Sequence, residues 1–208
     1  MQPGNTIFPS NIGMLFDTGK VYKLPLYQRQ YVWKENQLQD YKKDIDNIWE
    51  AITNSEEEEI FLGGVILQSD THGPKMAANA DKYIVIDGQQ RLTTLYITLL
   101  GLVEFALDNE WENEAEALIT TVLKCHKQSN MEEPLIQPTS NDINDFNFLL
   151  NKVNTSDKKR IKALPGGTNH KSNNLLKNAY DFIKKEIIEY NIFLIDGGNP
   201  TITTWTNF

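Results

Sequence analysis

Asp87, Gly88, Gln89, Gln90 and Arg91 stand in a row between two apolar stretches, "KYIVI" and "LTTLYITLL". An acid, a glycine, two amides and a cation in that order can handle a phosphate. If the first stretch is a strand and the second a helix, the row is their joint. The helix's first N–H groups then point outward without partners, at the positive end of its dipole. A cation in that first turn costs about 0.3–1 kcal/mol unless an anion sits there. Gly88 lets a ligand approach the backbone, Arg91 supplies a two-pronged fork, and Thr93 or Thr94 can add hydroxyls. Gln89 and Gln90 can orient a water or read a base edge, and Asp87 can hold a divalent ion beside the phosphates. A structural explanation stands beside this one: Asp87 as N-cap with Gln90 three residues on is a capping box, and Arg91 can pair with Asp44 or Asp46. The row has neither a Walker pattern nor a Gly-rich dinucleotide fingerprint.

A second such group lies in "LPLYQRQYVW", residues 24–33. In an extended conformation Tyr27, Arg29, Tyr31 and Trp33 share one face and Gln28, Gln30 and Val32 the other. An aromatic face with an embedded cation can stack a base, or it can be a packed edge with a snorkelling arginine. Two Gln-Arg pairs, Gln28-Arg29 and Gln90-Arg91, suggest a site in which both arginines face one polyanion. Gly63 and Gly64 interrupt "IFLGGVILQS" and mark a bulge, or a place where another backbone or a ligand comes close.

The elements that must position these residues follow from periodicity. A strand is predicted over 20–27, where Pro25 argues for an edge position or a strand end. A helix over 35–52 carries Leu38, Tyr41, Ile45, Ile48, Trp49 and Ile52 at helical spacing. The segment around Gly63 and Gly64 reads as a buried strand, residues 82–86 as another, and 89–107 as a helix with Leu92, Leu95, Leu99, Leu102, Val103 and Ala106 inside. Beyond it the pattern is mainly helical: about 111–126, a stretch after Asn141 or Asp142 as N-cap, and 173–190. This predicts an α+β fold, with strands and helices in the first half of the chain and mainly helices in the second.

At 208 residues and 40% hydrophobic content the chain can bury a substantial core. A net charge of −8 provides no global attraction to nucleic acid or acidic membranes, so any polyanion contact must be local. The one cysteine, Cys125, excludes an internal disulfide framework. No apolar run approaches the roughly 18 residues of a membrane span and no secretory leader is evident, so a cytoplasmic protein without membrane contact is expected.

The stretches "LPLYQRQYVWKENQLQDYKKDI", "FLGGVILQ" and "YIVIDGQQRLTTLYITLL" together resemble the N-terminal domain of GmrSD-type modification-dependent restriction endonucleases. A weaker match runs through "PLIQPTSNDINDFNFLL" to the helix at 173–190. The resemblance implies a ParB/sulfiredoxin-like core, a small mixed sheet with helices over residues 1–108, followed by a helical annex over 109–208. It also implies a nucleoside triphosphate site, with Mg²⁺, that powers or gates a nuclease. Asp87, Gly88, Gln89, Gln90 and Arg91 match the family's nucleotide motif, and Gln28 and Arg29 its first motif. Sulfiredoxin chemistry is not expected, because Cys125 lies far from the joint. Relatives continue into a nuclease domain with a His-Asn-His metal site; here His72, His126 and His170 are isolated, so the nuclease is expected in another domain or subunit. In a second reading the chain is a non-catalytic module for sensing modified DNA or binding a protein. Its support is the basic set Lys158, Lys159, Arg160, Lys162, Lys171, Lys177, Lys184 and Lys185.

Overall fold

The computed structural model describes residues 10–17, 19–54, 61–70, 80–125, 133–155, 158–166 and 172–189. Its centre is α3 (Gln89–Asp108), whose apolar side chains run all the way round: Leu92, Leu95, Tyr96, Ile97, Leu100, Leu102, Val103 and Ala106 are buried. A helix of that kind has to be enclosed by other elements. On one side lies a four-stranded mixed sheet in the order β2, β3, β1, β6. β1 (Lys20–Lys23) is parallel to both β3 (Asp81–Asp87) and β6 (Ile136–Gln137), and β2 (Ile66–Ser69) runs antiparallel to β3. The sheet thus draws its last strand from the second half of the sequence.

Helices complete the enclosure. α1 (Ile12–Leu15) precedes the sheet, and α2 (Glu35–Thr53) lays Leu38, Tyr41, Ile45 and Trp49 inward. α4 (Glu112–Leu118) passes into a π-helical turn (Ile119–Leu123) and then into β4 (Lys124–Cys125), which pairs with β5 (Glu133–Pro134). α5 (Ile143–Leu150) and α6 (Leu175–Phe182), the latter extended by a π-helical turn over Ile183–Glu189, close the far side. Rings bind the layers: Tyr96 of α3 lies 6.1 Å from Phe16 and stacks at 5.4 Å on Phe146 of α5. The architecture is α+β with helices dominant, as the sequence pattern predicts.

Three expectations about the elements are corrected. β1 ends at Lys23 and lies inside the sheet; Pro25 falls beyond it in a turn closed by Gln28 N–H donating to the Pro25 carbonyl at 3.0 Å. The glycine-containing strand is shorter than its apolar run, covering only Ile66–Ser69, and as an edge strand it is largely exposed. The helix expected over 111–126 breaks after Leu123, because residues 124–125 extend into the ladder with β5. The tail beyond Glu189, the acidic run at 55–59, and His72, His126 and His170 lie outside the described residues.

Candidate functional site at the strand–helix joint

β3 hands the chain to α3 through Gly88, which is the N-cap of the helix in a left-handed conformation (φ 85°, ψ 10°) with no side chain capping the turn. The expected capping box is therefore absent. Asp87 remains in the strand, paired opposite Ile66, and is exposed. Glycine is required at position 88 twice over: a Cβ would meet a positive φ and would lie 2.9 Å from the Gly64 carbonyl oxygen.

The same carbonyl accepts a hydrogen bond from Arg91 Nη1 at 2.9 Å. Gly63, at φ 99°, lies flat beneath the guanidinium; a Cβ there would stand 2.4 Å from Cζ and 2.7 Å from Nε and Nη2. The glycine pair thus serves close approach: Gly63 to Arg91 and Gly64 to Gly88. The pairing of Arg91 with Asp44 or Asp46 is not made, and Asp46 is bonded to Lys42 instead. Among the described residues neither Arg29 nor Arg91 has a carboxylate within ion-pair distance. One donor of the Arg91 fork is spent on a neutral acceptor, which leaves its charge uncompensated among the described residues.

The two Gln-Arg segments come together. Gln28 Nε2 donates to the Ile86 carbonyl at 2.9 Å, and Gln89 Nε2 to the Arg29 carbonyl at 3.2 Å. Gln90 is a two-sided clamp: its Oε1 accepts from Val32 N–H at 2.8 Å and its Nε2 donates to the Gln30 carbonyl at 3.2 Å. Residues 28–33 form no strand; the amides of α3 supply the bonds that a sheet would otherwise provide. The shared aromatic face is accordingly not formed. Tyr27 is 74% exposed, Tyr31 is 3% exposed, and Trp33 is half-buried with its ring 6.2 Å from that of Tyr41. Arg29 is exposed.

Tyr31 points inward, where its hydroxyl meets Thr94 Oγ1 at 2.8 Å. Thr94 in turn donates to the Gln90 carbonyl at 2.8 Å, so its hydroxyl is engaged within the core, and Thr93 is buried beside it. Burial raises the Tyr31 hydroxyl well above the ordinary tyrosine range against the opposing effect of its bond to Thr94, which keeps it neutral. Gln89 differs from its neighbour. It is 6% exposed, its Nε2 is used, and its Oε1 is buried without a hydrogen-bond partner. A buried acceptor in that state costs about 1–3 kcal/mol and calls for an explanation.

Sequence reasoning missed the second grip on this loop. Asp142, expected only as a possible helix cap, accepts the Tyr31 N–H through Oδ2 at 2.9 Å and the Thr139 hydroxyl at 3.0 Å, while Asn173 Nδ2 donates to the Tyr31 carbonyl at 3.0 Å. Burial raises the Asp142 carboxyl above the usual range, the bonds from Tyr31 and Thr139 act to lower it, and Asp145 adds to the rise. These partners are separated by more than a hundred residues, and only the polar run "TSNDIND" hinted at them.

Of the basic set in the second half Lys171 lies outside the described residues, and the others are largely spent internally. Arg160 is buried and bonded to Glu112 and Glu116, Lys158 pairs with Glu116 at 2.7 Å, Lys177 with Asp145 at 3.0 Å, and Lys184 with Asp108 at 2.9 Å. An apolar cavity of ≈ 40 Å³ lined by Tyr41, Ile45, Trp49, Leu95 and Ile188 lies away from the joint. Among the described residues no group of three or more His, Cys, Asp or Glu is placed to hold a metal, and no helix is long and apolar enough to cross a membrane.

A mixed sheet feeding a buried helix through a glycine joint, with a glutamine-held loop beside it, defines an α+β domain organised around that joint. Residues 12–204 match the model of the GmrSD restriction endonuclease N-terminal domain, and the chain belongs to that family. This makes it a component of a modification-dependent restriction system. No curated protein matches the chain.

Proposed function

We propose that this domain binds a nucleoside triphosphate at the strand–helix joint and hydrolyses it, as the regulatory part of a system whose nuclease is another domain or subunit and whose target is modified DNA. The observation that carries the reading is the meeting of two arginine-bearing segments, neither arginine charge-compensated among the described residues, at the open amino end of a 20-residue helix. An anion there gains from both guanidinium groups, from the first-turn N–H groups and from the helix dipole.

In this reading Arg91 and Arg29 hold phosphate oxygens, and the glycines at 63 and 88 keep the backbone low enough for them to approach. Gln89 Oε1 is the acceptor that a ligand-borne donor or the attacking water satisfies on binding. Gln90, with both ends of its amide engaged, holds the loop. Thr94 and Tyr31 support the same loop from inside, while Gln28 fixes its start against β3. Asp87, exposed and with no hydrogen-bond partner for its carboxylate among the described residues, is the residue that would hold Mg²⁺ together with phosphate oxygens, where the ion would neutralise charge on the transferred group.

Calorimetric titration with nucleoside triphosphate and magnesium tests this on the wild type, Arg91→Ala and Gln89→Met. Both substitutions should weaken binding, and Gln89→Met should do so with little loss of stability, since removing the unpartnered Oε1 offsets the loss of the Nε2 bond to the Arg29 carbonyl. Wild-type affinity in Arg91→Ala would remove the joint from the site.

A further inference from the structure

Tyr31 is held from two directions. Its hydroxyl bonds to Thr94 of α3, but both of its backbone groups are taken by the helical half: N–H by Asp142 Oδ2 at 2.9 Å and carbonyl by Asn173 Nδ2 at 3.0 Å. On either side of it the Arg29 carbonyl, the Gln30 carbonyl and the Val32 N–H are taken by Gln89 and Gln90. The loop that carries Arg29 therefore has no ladder partner and is set in place by side chains from two sources. A β-ladder fixes a segment through many backbone bonds at once, whereas here each source can be moved or removed singly. Asp142 stands at the start of α5, and Asn173 just before α6, where its Oδ1 also accepts the Leu175 N–H at 3.0 Å. Any shift of these helix starts is delivered to the backbone two residues from Arg29.

We propose that Asp142 and Asn173 are positioning residues for the phosphate-binding loop, and that through them the helical half of the chain sets nucleotide affinity. The proposal rests on the nucleotide reading above. Neither residue touches the joint itself; both act through the Tyr31 backbone. The function of Asp142 is to accept two hydrogen bonds, from an amide and a hydroxyl, so an asparagine presenting its carbonyl oxygen there substitutes for it. Asn173→Asp keeps the acceptor for Leu175 N–H and loses the donor to Tyr31, which separates the grip on the loop from the start of α6.

The test compares wild type, Asp142→Ala, Asp142→Asn and Asn173→Asp in thermal unfolding, amide exchange at Tyr31 and Val32, and binding of nucleoside triphosphate with magnesium. Asn173→Asp should stay folded, exchange the loop amides faster and bind about fivefold or more weakly, the range of ordinary site-to-site coupling. Asp142→Asn should restore both readouts relative to Asp142→Ala; if the alanine variant does not fold, Asn173→Asp set against Asp142→Asn decides. Wild-type affinity in Asn173→Asp, with faster loop exchange, overturns this proposal and leaves the nucleotide site standing. Absence of nucleotide binding by the wild type overturns both.

Discussion

Gly63→Ala and Gly64→Ala are adjacent, chemically identical substitutions that should differ in sign or nearly so. At Gly63 the new methyl group meets φ 99° and the Arg91 guanidinium at 2.4 Å. The backbone alone costs about 1–2 kcal/mol for an L-residue held there. The clash is relieved by swinging Arg91 away, which sacrifices its bond to the Gly64 carbonyl, about 1 kcal/mol net for a partly exposed pair. The expected loss is about 2–3 kcal/mol, or roughly 4–12 °C in Tm for a chain of this size. At Gly64 a Cβ meets nothing within 4 Å and φ lies outside the left-handed range, so alanine should be neutral or stabilise by up to about 1 kcal/mol through the unfolded chain. Denaturant unfolding gives both numbers. The same pair read by nucleotide titration should show Gly63→Ala weakened by about tenfold or more, because a displaced Arg91 forfeits a charge-assisted bond. Equal stability loss at the two positions, or a Gly63→Ala variant at wild-type stability, would refute the packing of Arg91 on Gly63.

Three further outcomes follow from the same geometry. Gln90→Leu strips the partners from Val32 N–H and the Gln30 carbonyl and should destabilise by about 2–3 kcal/mol in denaturant unfolding, whereas Gln89→Met should be near neutral, because the lost bond to the Arg29 carbonyl is offset by removal of a buried acceptor without a partner. Removing both carboxylates of the Arg160 network, as Glu112→Gln with Glu116→Gln, strands a guanidinium only 2% exposed and should cost about 3 kcal/mol. Arg160→Met should cost less, since the carboxylates it frees face solvent, and equal losses would contradict the asymmetry. The carboxyl of Asp142 is raised by burial, so the folded state holds its proton more tightly than the unfolded chain; its contribution favours folding at acid pH and is lost as pH rises through the folded value. Asp142→Asn should therefore remove that part of the stability–pH curve and leave the protein at least as stable at neutral pH, as thermal unfolding across pH would show.

Much of this was readable beforehand because the signals were local. The apolar spacing from Leu92 to Ala106 predicts a helix with one inner side after a strand, with Gly88 at the turn between them; the burial of Tyr96, Ile97 and Leu100 as well encloses it all round. Gly63 and Gly64 announced a close approach without naming what approached, because the partner, Arg91, is 28 residues away from Gly63. The two faces that alternation offers over 24–33 hold only for an extended segment with a sheet partner, and here side-chain amides take that place. The capping box fails for a related reason: Gln90 has the right spacing from Asp87, but Asp87 stays in the strand, Gly88 is the N-cap, and the Gln90 amide is engaged at both ends by the loop. For Asp142 the polar run "TSNDIND" points no further than a helix start, and Asn173 reads the same way, since a polar residue before a helix is most simply a cap.

The central claim is that the two Gln-Arg segments serve one phosphate ligand, and titrating nucleoside triphosphate with magnesium into Arg29→Ala and Arg91→Ala tests it most directly. Both variants should bind about tenfold or more weakly while unfolding at the wild-type midpoint to within a few degrees, because each loses a charge-assisted bond to the ligand and little within the fold. Wild-type affinity in either variant would contradict a shared site.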